Sequence, residues 1–153
     1  LGRSDTLLVN AKASEARGGA LAGALGLDAN QPFTLDAQAR GTVKVGQFKL
    51  LVTSGASQPA KADGQWDASG GAANGYVRLD AARLTGLYAR LFGPQVKFDI
   101  AGAKGKGAFY DIKARLDSET LSVTAVGPAD LGKRLAGPAK ATAASISAIC
   151  ANG

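Results

Sequence analysis

The sequence contains no histidine, no methionine, one cysteine and one tryptophan. Without histidine, the Ser–His and Cys–His nucleophile pairs and every imidazole metal site are excluded. Cys150 alone cannot close an internal disulfide, so cysteine usage does not fix the redox compartment; in an Ala-rich tail it reads as a small apolar filler. Aromatic residues make up 6% of the chain, too few and too scattered for a base-stacking platform or for the aromatic girdles of a membrane barrel. No run of apolar residues reaches the length of a membrane-spanning helix. A chain that begins at Leu1 without methionine is expected to be a piece of a longer protein, whose location the lack of a leader does not reveal.

Large apolar side chains are also scarce. Hydrophobic residues are 46% of the 153, but 31 of them are Ala, and Leu, Ile, Val and Phe together number 34, about 22%. That lies close to the one-fifth level below which chains tend to stay unfolded. With 21 Gly besides, a thin or single-layered structure is expected. Length alone fits one β-rich unit, residues 1–153.

Charge is unbalanced, 18 basic residues against 12 acidic, which favours anionic partners such as phospholipid headgroups or nucleic acid. The lysines are spread singly, however, at Lys44, Lys49, Lys97 and Lys113, as on solvated strand faces. Asp63, Asp67, Asp80, Asp99, Asp111 and Asp117 also fall at polar strand positions, where a carboxylate is ordinarily solvated. "GAKGKG" at Gly102–Gly107 has the composition of a phosphate loop but lacks its spacing. These absences argue against an enzyme, a metal site, a cofactor or a nucleic-acid groove.

What the sequence does have is alternation. Phe33, Leu35, Ala37 and Ala39 oppose Thr34, Asp36, Gln38 and Arg40. Val43 and Val45 flank Lys44, and Phe48, Leu50 and Val52 continue on the other parity, so a bulge or tight turn is expected at Gly46-Gln47. Ala60, Ala62, Gly64, Trp66 and Ala68 alternate with Lys61, Asp63, Gln65, Asp67 and Ser69, a run that outweighs the possible hairpin dipeptide Asp63-Gly64. A turn at Asn74-Gly75 introduces Val77, Leu79 and Ala81. Val96, Phe98 and Ile100 oppose Gln95, Lys97 and Asp99. Tyr110, Ile112, Ala114 and Leu116 oppose Asp111, Lys113, Arg115 and Asp117, and Leu121, Val123 and Ala125 follow. Each segment reads as a strand with one apolar and one polar face. Three stretches break the two-residue period, Glu15–Leu27, Ala81–Phe92 and Ala129–Ala136, and read as short helices or loops, each followed by a proline and a fresh strand.

The fold class is therefore all-β, an extended antiparallel sheet with a few short helices too small to cover it. A second sheet, as in a sandwich or solenoid, or a non-protein partner must cover the apolar rows.

The stretches "QPFTLDAQARGTVKVGQFKLLVTSG", "GGAANGYVRLDAARLTGLYARLFGPQVKFDIAG" and "FYDIKARLDSETLSVTAVGPADLGKRLAGP" resemble the repetitive periplasmic region of the TamB/AsmA-like family. The resemblance spans roughly Thr6 to Thr142 and rests on a rhythm of Leu, Gly and alternating strands. It implies a curved sheet rolled into an open apolar groove, in a long Gram-negative envelope protein anchored in the inner membrane and reaching through the periplasm. It further implies phospholipid transport between membranes, and outer-membrane protein assembly with an outer-membrane partner. The family's C-terminal domain is not evident in this segment. Within such a groove, Phe33, Leu35, Val43, Val45, Leu50, Val52, Trp66, Val77, Leu79, Val96, Phe98, Ile100, Ile112, Leu116, Leu121 and Val123 are the expected lining, with phospholipid acyl chains and neighbouring repeats of the same chain as partners. The alternative is a sandwich or solenoid interaction domain without a lipid role.

Overall fold

The computed structural model describes residues 6–17, 19–24, 26–28, 30–81, 91–105, 109–130 and 145–150. These form β1 (Thr6–Glu15), α1 (Ala20–Ala24), β2 (Phe33–Thr42), β3 (Gly46–Ser54), β4 (Ser57–Asp67), β5 (Gly70–Arg78), β6 (Gln95–Lys104), β7 (Phe109–Asp117), β8 (Leu121–Asp130) and β9 (Ser145–Cys150). All nine strands lie in one sheet in sequence order, β1 to β9. Each neighbouring pair is antiparallel. The sheet is open, since β1 and β9 do not meet. The all-β, antiparallel character expected from the alternation is what the structure shows; the sheet is uncurled, and the described residues do not roll it into the groove that the resemblance implies.

Turn chemistry sets where the strands reverse. At the β2–β3 hairpin the Thr42 hydroxyl oxygen accepts from the amides of Lys44 and Val45, both at 3.1 Å. The Thr42 amide donates to the Val45 carbonyl at 2.7 Å. At the β4–β5 hairpin the Asp67 carboxylate accepts from the amides of Ser69 (2.7 Å) and Gly70 (3.0 Å). An acidic or hydroxyl side chain folded back on its own backbone is what favours such residues in turns.

Among the described residues, only one corner of the sheet has a core. Beyond the end of α1, Gly26 has a φ of 69°, a left-handed conformation that favours glycine. The Leu27 amide reaches back to the Ala22 carbonyl at 2.8 Å, and the Gly26 amide to Gly23 at 3.1 Å. This is the Schellman pattern, which brings the residue after the cap against the third-last helical residue. Ala22 and Leu27 thus pack together on Phe33 and Val52, with Leu35 and Ala60 alongside. Phe33 is 1% exposed and Leu27 5%. Burying a side chain of this size contributes ~1.5–3 kcal/mol. Glu15, at the end of β1, accepts from the Ala22 amide at 3.1 Å and ties α1 to the sheet.

Several expectations change. Asn74 and Gly75 lie inside β5, not in a turn. Asp63 and Gly64 lie inside β4, as the alternation requires. The parity change near Gly46-Gln47 is a tight turn at residues 43–45. The helical reading of Glu15–Leu27 shrinks to the five residues of α1, and Glu15 closes β1. In the segment Ala81–Phe92, residues 82–90 lie outside the described residues. So do residues 131–136 of the third segment, while Ala129 belongs to β8. β1 and β9 are strands that the alternation did not single out. In β1 the consecutive Leu7, Leu8 and Val9 hide the two-residue period, and β9 is a six-residue run of small and branched residues in an Ala-rich tail.

The uneven core predicts uneven mutational costs. Phe33→Ala should destabilise by about 3–5 kcal/mol, the cost of a large buried cavity. Ile100→Ala, at a site already 40% exposed, should cost about 1 kcal/mol or less. Denaturant titrations followed by circular dichroism check the ordering; equal losses would contradict a core confined to one corner.

Candidate functional site: the apolar face of the sheet

Directly paired residues in antiparallel neighbours project to the same side, so the register sorts every strand position onto one of two faces. From Phe33, the pairings lead through Leu35, Ala37 and Ala39 to Phe48, Leu50 and Val52 on β3, and to Ala60, Ala62, Gly64 and Trp66 on β4. They continue to Gly71, Ala73, Gly75 and Val77 on β5 and Val96, Phe98, Ile100 and Gly102 on β6. Tyr110, Ile112, Ala114 and Leu116 on β7 follow, then Leu121, Val123, Ala125 and Gly127 on β8. On the other side, Leu7, Val9, Ala11 and Ala13 of β1 join the same face. Between Glu15 at one corner and Lys104 at the opposite end of the strands, the described strand residues place no charge on it.

The sixteen expected lining residues therefore divide. Phe33, Leu35, Leu50, Val52, Trp66, Val77, Val96, Phe98, Ile100, Ile112, Leu116, Leu121 and Val123 share this face. Val43 and Val45 do not: they sit in the β2–β3 turn, 77% and 57% exposed, because the turn consumes the residues that alternation alone assigned to a strand. Lys44 lies in the same turn and not on a strand face. Leu79 also leaves the sheet, in the turn after β5, where its amide donates to the Pro94 carbonyl at 2.7 Å. Away from the α1 corner the face is uncovered in part, with Val77 at 38%, Ile100 at 40% and Leu116 at 41% exposure.

Glycines shape this face, a signal that turn-oriented reading of glycine misses. Gly46, Gly64, Gly75 and Gly102 lie beneath large cross-strand side chains. A methyl group at Gly64 would collide with the Phe48 ring and stand 2.8 Å from the Ala72 carbonyl; one at Gly75 would stand 2.7 Å from Phe98 Cζ, and one at Gly102 2.8 Å from Ile112 Cδ1. Aromatic rings laid over glycine shield the bare backbone and hold the surface low. Trp66 lies over Gly46 in this way, and its indole N–H donates to the Thr42 carbonyl at 2.9 Å.

The opposite face is mostly charged and polar, with Leu8, Leu51, Phe109 and Val126 interspersed. Lys12 meets Asp36 at 3.9 Å and Lys61 meets Asp63 at 3.3 Å. Arg115 pairs with Asp117 at 2.6 Å, and Asp117 also accepts from the Ser122 hydroxyl at 2.7 Å. The bonds from Arg115 and Ser122 hold the Asp117 carboxyl below the usual carboxylate range, as Arg78 does for Asp80 and the Ser69 hydroxyl for Asp67. All are solvent-exposed, so each pair adds little stability. Their effect is to keep this face wet and largely neutralised. A recess of about 480 Å³ lies at one end of the strands, lined by Arg78, Asp80, Pro94, Gln95, Lys97, Asp117, Ser118 and Glu119. Within it Arg78 pairs with Asp80 at 2.6 Å.

No protein-family model, curated protein or solved structure matches the chain. Among the described residues no helix is long and apolar enough to cross a membrane, and no group of three His, Cys, Asp or Glu side chains could hold a metal ion.

The glycine packing yields a contrast. Gly64→Ala must displace a rigid ring and approach a carbonyl, and should destabilise by about 1–3 kcal/mol. Gly102→Ala meets only the end of a flexible isoleucine and should change stability by less than about 0.5 kcal/mol. Urea unfolding of both variants checks this; equal tolerance would mean the rings do not lie over the glycines.

Proposed function

We propose that the apolar face shields phospholipid acyl chains, and that this chain is a segment of a bridge-like envelope protein carrying phospholipid between the inner and outer membranes. The observation that carries the reading is a hydrocarbon surface crossing eight adjacent strands, with its mid-sheet residues Val77, Ile100 and Leu116 more than a third exposed. Leaving such a surface to water is unfavourable by ~25 cal/mol per Å², and large exposed apolar patches mark binding surfaces.

Dimensions and energetics suit an acyl chain. Strands of nine to eleven residues extend ~30–36 Å, enough for a whole acyl tail. Drawing a twelve-methylene tail into water costs on the order of 10 kcal/mol, at ~0.8 kcal/mol per methylene. A flat apolar face offsets most of that without a shaped pocket. Transfer from bilayer to sheet is then close to isoenergetic, as a conduit needs and a tight receptor does not. The resemblance to the TamB/AsmA-like family adds the periplasmic setting, continuation into neighbouring repeats and support for outer-membrane protein assembly.

Photocrosslinking residues at Phe98 and Ile112 should capture phospholipid, and those at Lys97 and Lys113, on the ionic face, should not. Phe98→Glu or Ile112→Asp should block lipid transfer in the full-length protein while costing less stability than a charge in a closed core. Equal labelling from both faces, or from neither, would favour the alternative, in which the apolar face packs against a second sheet and carries no lipid.

A further inference from the structure

We infer that the β2–β3 turn is a membrane-docking tip, which seats end-on in the surface of an anionic phospholipid bilayer. Val43, Lys44 and Val45 form the turn, at the ends of two interior strands. A strand laid along either edge of the sheet therefore leaves it open. Val43 is 77% exposed, more than any other large apolar side chain among the described residues, and Val45 is 57% exposed. Turns ordinarily carry Gly, Pro, Asn, Asp or Ser. The hydrogen bonds of this one come from Thr42 and the backbone, and none of them calls for valine.

Behind the tip comes a basic zone. On the charged face Arg40 pairs with Gln47, and Gln38 with Lys49, at adjacent positions of the β2–β3 register. These four residues, with Phe48, line a recess of about 110 Å³. Arg40, Lys44 and Lys49 are exposed, and among the described residues none of them forms an ion pair. The carboxylates nearest in the register are engaged elsewhere. Asp36 meets Lys12 and accepts from the Gln38 amide, Asp63 meets Lys61, and Asp67 accepts from the amides of Ser69 and Gly70. A guanidinium, an ammonium and two amide side chains around so small a recess match the phosphate of a lipid headgroup.

The order of these chemistries along the strands selects a bilayer over a protein partner. Hydrocarbon comes first, then Trp66 over Gly46, then cations. A bilayer boundary presents the complementary layers, acyl chains beneath anionic headgroups, with tryptophan favoured between them. The depths also agree. At ~3.3 Å per residue, Arg40 stands ~10 Å behind Val43 and Lys49 ~13 Å behind Val45, while surface-bound elements sink their apolar side ~5–10 Å. Lys44, between the valines, can return its ammonium to the headgroups along its own apolar stem.

The tip does not need lipid to travel along the apolar face, so it stands or falls separately from the lipid-carrying reading. Flotation of the chain with vesicles of phosphatidylcholine, with and without phosphatidylglycerol, tests it. The chain should bind the vesicles containing phosphatidylglycerol, and more weakly as salt rises. Val43→Asp/Val45→Asp should lower that affinity about tenfold or more, and Arg40→Gln and Lys49→Gln about fivefold each, with unchanged circular dichroism spectra. Phe98→Glu, midway along the apolar face, should leave it unchanged. Trp66 is the only tryptophan, and its emission should move to shorter wavelength on binding, in the wild-type chain but not in Val43→Asp/Val45→Asp. No binding, equal binding to neutral vesicles, or full binding by the valine variant would overturn the inference. So would a loss with Phe98→Glu as large as that with the valine variant, since the face and not the tip would then hold the membrane.

Discussion

Side chains on neighbouring antiparallel strands must fall on common faces wherever the backbone ladder is in register, and here the ladder runs through nine strands with one irregularity, between Val52 and Ser54. That parity constraint organises the molecule. A shift of one residue in any strand would carry its apolar row to the ionic side, placing Val, Phe and Ile among Lys–Asp pairs. The register is therefore specified by the contrast between the two faces, even though few of the residues on either face are buried.

A sheet held this way does not need a large interior, and the described residues have a small one. The Schellman turn after α1 folds Leu27 onto Phe33 and Val52 and closes one corner. Elsewhere glycine beneath aromatic and branched side chains takes the place of depth, with the rings lying along the sheet and covering backbone. The ion pairs on the far side are exposed and individually weak. Stability thus rests on hydrogen bonding and on lateral packing within a single layer. The same economy leaves an apolar face in partial contact with solvent.

Much of this was legible in the sequence because period-two alternation is a direct record of strand parity. Phe98, Ile100, Ile112 and Leu116 could be assigned to one face from their own strands alone. Where sequence reasoning failed, a residue served a purpose that alternation does not encode. Val43 and Val45 alternate with Lys44 but occupy a turn organised by Thr42. Asn74-Gly75 has turn composition, yet Gly75 lies inside β5, where a side chain would collide with the Lys61 carbonyl and the Phe98 ring. β1 was hidden by the three consecutive apolar residues Leu7, Leu8 and Val9, which project to both faces and so mask the two-residue period. Leu79 lies just past β5, where the chain turns and its amide bonds the Pro94 carbonyl.

A hydrocarbon surface with a neutralised ionic reverse distinguishes inside from outside without selecting a shape, and this is why the lipid reading rests on the whole face and on no single pocket. The most direct test is native mass spectrometry of the chain purified without detergent from bacterial cells, with thin-layer chromatography of the extract. Species heavier than the chain by the mass of phospholipid, and lost in Phe98→Glu, are the predicted result. A chain that carries no lipid, even after incubation with phospholipid vesicles, would contradict the account.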